Sequence, residues 1–410
     1  MRAQFIFAAA AAFVLAACGD STAPVTKSPI AGPLAGPLAG RTPSAVFALT
    51  SVATGGYNSC GLSGSTAYCW GDNFYGEIGD GSNVSLQPTP SAVTGGISFV
   101  SVSPGPAYTC GLSKSGQAYC WGADGFGIDY SVLGRGDSPT DPRLPGPVLG
   151  GYSFTSLYTG PYNVCGLTRA GQAYCWGRNT NGQLGTGAAM GASVSQPAPV
   201  LPPAGSTTPL TFVTLSIGGA GCGIVKGGAA YCWGNNSSGT LGDGTNTASP
   251  TPVPVAGGNT FVAIAVGVAH ACGILKSGQA VCWGANSFGQ LGDNTTTDSN
   301  EPRLVATALT FALVTAGESR TCALTSHGDA YCWGNNDFGE LGDGTTTRRH
   351  SPTAVAGGFT FTAINAQAFY HTCGMTDRLG AWCWGMNDHG ELGIGATSTP
   401  VLAPTAVRAP

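Results

Sequence analysis

The fold is decided by one stretch that recurs seven times, written in its fifth copy as Cys272-Gly-Ile-Leu-Lys-Ser-Gly-Gln-Ala-Val-Cys282-Trp-Gly-Ala-Asn-Ser-Phe-Gly-Gln-Leu-Gly292. Its Cys-Trp-Gly centre recurs in steps of 51, 55, 57, 50, 50 and 51 residues, at Cys69, Cys120, Cys175, Cys232, Cys282, Cys332 and Cys383. A period near 50 residues with Gly-rich turns indicates a radial or solenoid array. Length alone would have suggested two or three domains instead.

The segment between the two cysteines of each repeat predicts a β-hairpin. In the second repeat, Lys114-Ser115-Gly116 is the loop, which places Leu112 opposite Ala118 and Cys110 opposite Cys120. Gly116 stands where a three-residue loop needs a left-handed residue. The first repeat is one residue shorter and centres on Gly64-Ser65, so its cysteines stay in register.

The register brings each pair of cysteines within disulfide reach, because opposed residues on antiparallel strands lie about 4.5 to 5.5 Å apart. The predicted bridges are Cys60 with Cys69, Cys110 with Cys120, Cys165 with Cys175, Cys222 with Cys232, Cys272 with Cys282, Cys322 with Cys332, and Cys373 with Cys383. Buried reduced thiols are the alternative. Zinc is disfavoured because the spacing is nine or ten residues and no further ligand lies nearby.

These residues carry a resemblance to a known family. The runs His270-Ala-Cys-Gly-Ile, Gly278-Gln-Ala-Val-Cys-Trp-Gly and Asn286-Ser-Phe-Gly-Gln-Leu-Gly resemble the repeat of the regulator of chromosome condensation family. The resemblance implies an all-β fold, a seven-bladed β-propeller of about four antiparallel strands per blade. The family's His two residues before the first Cys is kept only at His270 and His371, and repeat 2 inserts Ile128 to Val132 into its turn.

Composition excludes several other classes of protein. The chain of 410 residues has 66 Gly, 27 Pro and 15 Cys, and only 9% of it is charged, against about 25% in an ordinary soluble domain. With 42% hydrophobic residues it can bury a core, so the low charge does not indicate disorder. A net charge of −4 with four Lys and no basic run argues against nucleic-acid binding.

The first residues predict an exported lipoprotein. Arg2 precedes the apolar stretch Phe5 to Leu15, which is shorter than the about 20 residues that span a bilayer. Leu15-Ala16-Ala17-Cys18 resembles a bacterial lipobox, in which the cysteine is acylated and the chain is cut before it. An ordinary signal peptide is the alternative, but removing Cys18 leaves fourteen cysteines in seven pairs, which favours lipidation.

The chain therefore divides into a signal peptide at 1–17, a flexible Pro-, Gly- and Ala-rich tether at 18–42, and the seven-repeat propeller at 43–410. Gly19 follows the lipidated cysteine, so the Asp that would retain the protein at the inner membrane is absent from that position. We expect anchoring at the outer membrane through the lipid only, with the periplasmic or surface side left open.

No catalytic, metal or cofactor site is predicted. A repeat that offers the same residue in each blade rarely provides the unlike groups that catalysis needs. His270 and His371 are the best candidates, and we interpret both as hydrogen-bonded repeat residues near the inner strands. The aspartates after Leu-Gly or Ile-Gly are interpreted as turn residues: Asp80, Asp243, Asp293 and Asp343.

One aromatic pattern points to partner binding. The turn after Cys-Trp-Gly carries an aromatic residue or His before its central Gly in five repeats, and the repeat 2 insertion adds a tyrosine. The predicted partner-binding residues are Tyr75, Phe126, Tyr130, Phe288, Phe338 and His389. In a propeller these turns share one face, and aromatic residues dominate interface hot spots. The alternative is that each ring packs over the edge of its own blade.

The predicted function is a non-enzymatic, monomeric protein-protein interaction scaffold of the cell envelope, with an unidentified envelope or extracellular protein as its partner. The resemblance supports this: a secreted relative of similar architecture, the type II β-lactamase inhibitory protein, binds another protein on one propeller face. Envelope glycan binding is the alternative. Guanine nucleotide exchange on a small GTPase, which the eukaryotic members perform, and a propeller enzyme are less favoured for an exported, disulfide-rich chain.

Overall fold

The structure, a computed structural model, describes residues 47–123, 131–136, 141–377 and 380–410. In these residues 28 strands form seven antiparallel sheets of four strands each, so the predicted seven-bladed β-propeller is confirmed. Two short 3-10 turns accompany the strands, Ser131–Leu133 and Ala256–Gly258. Within the described ranges, no helix has the length and apolar character that a membrane crossing requires.

Each blade is made of four consecutive strands. Blade 1 contains β1 (Ser51–Thr54), β2 (Asn58–Ser63), β3 (Thr66–Asp72) and β4 (Leu86–Ala92). Blade 2 contains β5 (Phe99–Pro104), β6 (Tyr108–Ser113), β7 (Ala118–Gly122) and β8 (Gly146–Pro147). Blade 3 contains β9 (Phe154–Thr159), β10 (Asn163–Thr168), β11 (Ala173–Gly177) and β12 (Val194–Pro199). Blade 4 contains β13 (Phe212–Ile217), β14 (Ala220–Val225), β15 (Ala230–Gly234) and β16 (Ser249–Pro254).

The remaining three blades follow the same plan. Blade 5 contains β17 (Phe261–Val266), β18 (His270–Leu275), β19 (Ala280–Gly284) and β20 (Ser299–Leu304). Blade 6 contains β21 (Leu313–Ala316), β22 (Arg320–Leu324), β23 (Ala330–Gly334) and β24 (Arg349–Ala354). Blade 7 contains β25 (Phe361–Asn365), β26 (His371–Thr376), β27 (Ala381–Asn387) and β28 (Ser398–Ala406). Since no sheet in the described part of the chain mixes strands from two repeats, blades 7 and 1 meet there without sharing a strand.

The hairpin register is the one that the cysteine spacing predicts. Leu112 lies opposite Ala118, and Cys110 lies opposite Cys120. Gly116 has φ 85° in the three-residue loop, and Gly64 has φ 61° in the two-residue loop of blade 1. The seven predicted disulfides are present, with Cα atoms 4.0 to 4.1 Å apart in every pair.

The hydrophobic core lies between the blades rather than within them. The described residues form seven clusters of buried side chains, and each cluster joins two neighbouring blades. In the cluster between blades 4 and 5, Leu241 of one blade packs with Phe261, Ile264 and Trp283 of the next. Both faces of a blade must therefore be apolar, because each is covered by a neighbour.

One interblade contact joins the two halves of the repeat motif. The indole Nε1 of Trp333 donates to the carbonyl oxygen of Gln290 in the preceding blade, at 3.0 Å. The same bond joins every neighbouring pair of blades, from Trp70 to Glu391, Trp121 to Glu77, Trp176 to Val132, Trp233 to Gln183, Trp283 to Thr240, and Trp384 to Glu340. The accepting residue is the one before Leu-Gly or Ile-Gly in the turn. The Cys-Trp-Gly and Leu-Gly segments of the sequence are thus the two sides of one interface.

The glycine of Leu-Gly is required by this contact. Gly292 has φ 69°, and a Cβ at that position would lie 2.6 Å from Nε1 of Trp333. We predict that Gly292→Ala lowers the free energy of unfolding by about 3 kcal/mol or more, because backbone strain and a steric clash add together. Denaturant unfolding followed by tryptophan fluorescence measures this.

Gly258 supplies the matched control. It also has a left-handed φ, of 60°, but a Cβ there would meet nothing within 4 Å. Gly258→Ala should therefore cost about 1 to 2 kcal/mol, from strain alone. Equal losses in the two variants would show that the indole does not require a glycine beside it.

Candidate protein-binding face

Two sets of turns share one face of the ring, which we call the turn face. Because neighbouring strands are antiparallel, the turn after each first strand and the turn after each third strand leave the sheet at the same end. In blade 1 these turns are residues 55–57 and 73–85. The opposite side carries the hairpins between second and third strands, and we call it the hairpin face.

The longer loops are divided between the two faces. In repeat 3, residues 178–193 form the turn after the third strand, whereas residues 200–211 connect to the next blade on the hairpin face. In repeat 2, the end of the insertion forms the buried 3-10 turn Ser131–Leu133. The rest of that insertion lies outside the described residues.

In every blade but the second, a buried asparagine shapes the turn after the third strand. In blade 5 the Oδ1 atom of Asn286 accepts from the backbone N–H of Leu291 at 3.0 Å, and its amide donates to Oδ1 of Asp293 at 3.2 Å. Asp293 in turn accepts from the backbone N–H of Thr295 at 3.0 Å. The repeated aspartates are therefore hydrogen-bonded turn residues, as the sequence predicts.

The predicted partner-binding residues that the structure describes all lie on the turn face and are half-buried: Tyr75, Phe288, Phe338 and His389. Phe126 and Tyr130 lie outside the described residues. In blade 1 the more exposed ring is Phe74, which is 68% exposed and packs edge-on against Tyr75 with centroids 4.9 Å apart. The residue that precedes the central Gly is thus only partly available to a partner.

Five rings from blades 6, 7 and 1 form one group, which we call the aromatic cluster: Tyr57, Phe338, Phe369, Tyr370 and His389. Tyr57 is at its centre. The centroid of its ring lies 4.7 Å from the ring centroid of His389, 5.7 Å from that of Phe369 and 6.3 Å from that of Tyr370. Phe338 lies 5.0 Å from Tyr370. The cluster brings together Phe338 and His389, which the sequence predicts, with three rings from the turns after the first strands.

Sequence reasoning missed those three rings, although a signal was available. The position three residues before the first cysteine is tyrosine in repeats 1, 3 and 7, as Tyr57, Tyr162 and Tyr370. This position lies in the turn after the first strand, on the same face as the predicted rings. Repeats 1 and 7 are far apart in sequence and become neighbours only when the ring closes.

The centre of the ring is nearly filled. The ends of the first strands enclose a cavity of about 30 Å³. Gln367 of blade 7 reaches across it, and its amide nitrogen donates to the carbonyl oxygens of Thr159 at 2.7 Å and Ile217 at 2.9 Å. The turn that holds Phe369 is therefore fixed to blades 3 and 4.

The two candidate histidines are buried at interfaces between blades. Nε2 of His270 lies 3.0 Å from Oγ1 of Thr321, and Nε2 of His371 lies 2.8 Å from Oγ of Ser59, each in the next blade. Burial lowers the pKa of His270 to about 4 and that of His371 to about 3, and the charge of Arg320 acts in the same direction. Both side chains have no exposed surface, so neither can meet a substrate.

In blades 1, 6 and 7 the residue before Leu-Gly or Ile-Gly is a buried carboxylate: Glu77, Glu340 and Glu391. Oε2 of Glu77 accepts from the backbone N–H of Tyr75 at 2.8 Å, while its Oε1 has no partner. Burial raises the pKa of Glu77 to about 8 and that of Glu391 to about 7. In blade 5 Gln290 makes the same bond, to the N–H of Phe288 at 2.9 Å. Where this position is Glu or Gln, the side-chain oxygen thus accepts the same backbone hydrogen bond whether or not the group can carry a charge.

One set of potential metal ligands occurs among the described residues. Asp388, His389 and Glu391 each offer a ligand atom, and these atoms lie within 4.8 Å of one another. Nδ1 of His389 is 2.7 Å from Oδ1 of Asp388, and Oε2 of Glu391 accepts from the backbone N–H of His389 at 2.9 Å. Hydrogen bonds within the group therefore account for its geometry.

The repeat contacts and the ring architecture agree with a known family. A family model, the RCC1-like domain, matches residues 125–410. The chain belongs to the RCC1-like domain family. RCC1 domain-containing protein RUG3 of Arabidopsis thaliana, mitochondrial, is 29% identical over 244 residues, which are 54% of this chain and 52% of RUG3. The ultraviolet-B receptor UVR8 of the same plant is 30% identical over 220 residues, 51% of this chain and 47% of UVR8. The chain thus spans about half the length of these curated relatives.

Two solved structures share the fold. Prp20p of Saccharomyces cerevisiae, whose structure was described together with its binding properties to Gsp1p and histones, superposes with a TM-score of 0.73 at 21% identity. The match covers 83% of this chain and 85% of that one. Human WBSCR16 superposes with a TM-score of 0.71 at 20% identity, over 80% of this chain and 87% of its own. At these identities the likeness extends to the fold alone.

The buried carboxylates predict that the free energy of unfolding of this propeller depends on pH. Because the pKa of Glu77 is higher in the folded state than its ordinary 4.5, folding takes up a proton between about pH 4.5 and 8, and stability falls as pH rises through that window. Glu77→Gln should raise the free energy of unfolding at pH 8 by on the order of 2 kcal/mol and leave it nearly unchanged at pH 5. Denaturant unfolding at the two pH values tests this.

Glu301→Gln is the control, because Glu301 is exposed in blade 5. Its substitution should not alter the difference between pH 5 and pH 8. An unchanged pH dependence in Glu77→Gln would contradict a proton on this buried carboxyl group.

Proposed function

We propose that this protein is an exported, lipid-anchored scaffold of the cell envelope that binds a protein partner on its turn face and catalyses no reaction. The observation that carries the proposal is the aromatic cluster of blades 6, 7 and 1. Its members are half-buried, so each ring is held in place by packing while keeping part of its surface for a partner. Held aromatic rings of this kind dominate the binding energy of protein interfaces.

The burial of the candidate catalytic histidines supports a binding role for this protein over a catalytic one. His270 and His371 are fully buried, and their Nε2 atoms are within hydrogen-bond distance of hydroxyl groups of the next blade. Catalysis needs acid and base groups that converge on a pocket open to substrate. The described part of the turn face instead offers rings and carboxylates on a surface whose central cavity is nearly filled.

The relatives support protein binding in general and leave the partner open. Prp20p is described with binding to Gsp1p and to histones. HERC2 of Homo sapiens is an E3 ubiquitin-protein ligase, and the similarity to this chain, 31% over 230 residues, covers 5% of it. We therefore carry over the use of a propeller for protein contacts and leave aside the activity of the longer protein.

The envelope location rests on the leader sequence, and lipidation is its test. We predict that the protein in the membrane fraction begins with an acylated Cys18, which mass spectrometry detects as the added mass of the acyl groups. Cys18→Ala should move the protein to the soluble fraction. A mature N-terminus beyond Cys18, with the cysteine removed, would contradict lipid anchoring.

The docking face is tested with the Cys18→Ala form as bait in an envelope extract. Once a captured partner is identified, Phe338→Ala should weaken its binding by about 2 kcal/mol or more, because the ring belongs to the aromatic cluster. The melting temperature should stay nearly unchanged, since Phe338 is outside the buried clusters between blades.

Phe359→Ala is the matched control. Phe359 is also half-buried and packs on Trp382 with centroids 4.4 Å apart, but it precedes β25 on the hairpin face. Loss of binding in this variant with none in Phe338→Ala would place the site on the other face. Binding to a glycan array without any protein partner would favour the glycan alternative.

A further inference from the structure

We infer that the aromatic cluster is a binding site for an arginine side chain presented by the partner protein. The inference rests on the proposed function and adds the chemistry that the turn face recognises. Its evidence is a comparison among the blades of this chain: arginines lie over aromatic rings of the turn face outside the cluster, but not over the described rings within it.

Two other aromatic rings of the turn face are already covered by arginines of the chain itself. The guanidinium carbon of Arg178 lies 5.0 Å from the ring centroid of Tyr162, and that of Arg348 lies 4.6 Å from the ring centroid of Phe288. These distances are within the roughly 6 Å range of cation–π attraction. The geometry of this face therefore suits a guanidinium group over a ring.

In blade 1 the arginine is replaced by a carboxylate. Tyr57 takes the position that Tyr162 has in blade 3, and the residue after Cys-Trp-Gly is Asp72 where blade 3 has Arg178. Blade 7 has Met386 at this position, and residues 386–407 contain no Lys or Arg. Among the described residues, no arginine or lysine lies over a ring of the cluster. Tyr57 thus takes the position of Tyr162, but no arginine stands at the position of Arg178.

Carboxylates surround these rings. The pKa of Tyr57 is raised by burial and then by the charges of Glu318, Asp388, Glu391 and Asp72. Burial and the charge of Glu318 raise the pKa of Tyr370 to about 12. Neither Glu318 nor Asp72 forms an ion pair within the described part of the chain, and Asp388 pairs only with His389.

The cation beneath the cluster, Arg320, attracts the carboxylates of Glu340 and Glu318 but is itself buried. Arg320 is fully buried, and its guanidinium donates to the carbonyl oxygens of Phe369 and His371 and to Oγ1 of Thr372. These bonds hold the turn from beneath. The guanidinium is therefore not at the outer surface of the cluster, where the π faces and the carboxylates of Asp72, Glu318 and Asp388 keep part of their surface.

This combination fits a guanidinium better than other ligands. Its flat face attracts the tyrosine rings, and its N–H groups match carboxylate oxygens at the rim. An anionic or purely apolar partner would leave the rim carboxylates desolvated without a counter-charge, which is costly. A protein that presents an exposed arginine satisfies both halves of the site.

The test uses the full chain as Cys18→Ala and two blocked peptides, tetra-arginine and tetra-citrulline, which have the same shape and differ in charge. Titration calorimetry should show binding of the arginine peptide at least tenfold tighter than that of the citrulline peptide. Tyr57→Ala and Glu318→Gln should each weaken the arginine peptide several-fold or more. Tyr162→Ala should have no effect, because the chain's own Arg178 covers that ring.

Equal affinity for the two peptides, or equal loss in Tyr57→Ala and Tyr162→Ala, would overturn the inference. Tyr57→Phe separates folding from recognition, since it keeps the ring and should keep most of the binding. If Phe338→Ala abolishes capture of an envelope partner while arginine and citrulline bind alike, the proposed function stands and the arginine site falls. If arginine binds selectively at Tyr57 but no partner uses the turn face, the site stands and the proposed function falls.

Discussion

The bond from each tryptophan to the turn of the preceding blade is the interaction on which the rest of this propeller depends. It joins all seven interfaces, including the one between Trp70 of blade 1 and Glu391 of blade 7. Among the described residues no blade is completed by a strand from the other end of the chain, so the ring closes through contacts between complete blades, which include the backbone hydrogen bond from Gly395 to Pro88 at 2.9 Å. Closure therefore needs the same contact as every other interface, and the sequence repeats it without exception.

That contact also determines what each turn can present. The residue before Leu-Gly or Ile-Gly gives its carbonyl oxygen to the tryptophan, and where it is Glu or Gln its buried side chain binds the backbone two residues earlier, as Gln290 does at Phe288. The residue before the central Gly is thereby directed to the turn face and is free to vary. Blades 1, 6 and 7 use this freedom for Tyr75, Phe338 and His389.

Much of the fold follows from sequence because it is set by local spacing. The hairpin loops at Gly64 and Gly116 fix the register, and the register fixes the disulfides. The aromatic cluster does not follow, because Tyr57 and Tyr370 meet only through closure of the ring. The half-burial of Phe338 and the raised pKa of Glu77 depend on packing that a linear pattern does not express. The leader and Cys18 lie outside the described residues and remain predictions.

Gln367 has a consequence for how a ligand would be received. Its amide spans the ring to blades 3 and 4, so the short turn that carries Phe369 and Tyr370 is braced from the far side as well as by its own blade. Such a surface is pre-organised: little conformational entropy is left to lose when a ligand settles on it. The cost of ordering the recognition loop is met during folding, and association can be fast without an induced rearrangement.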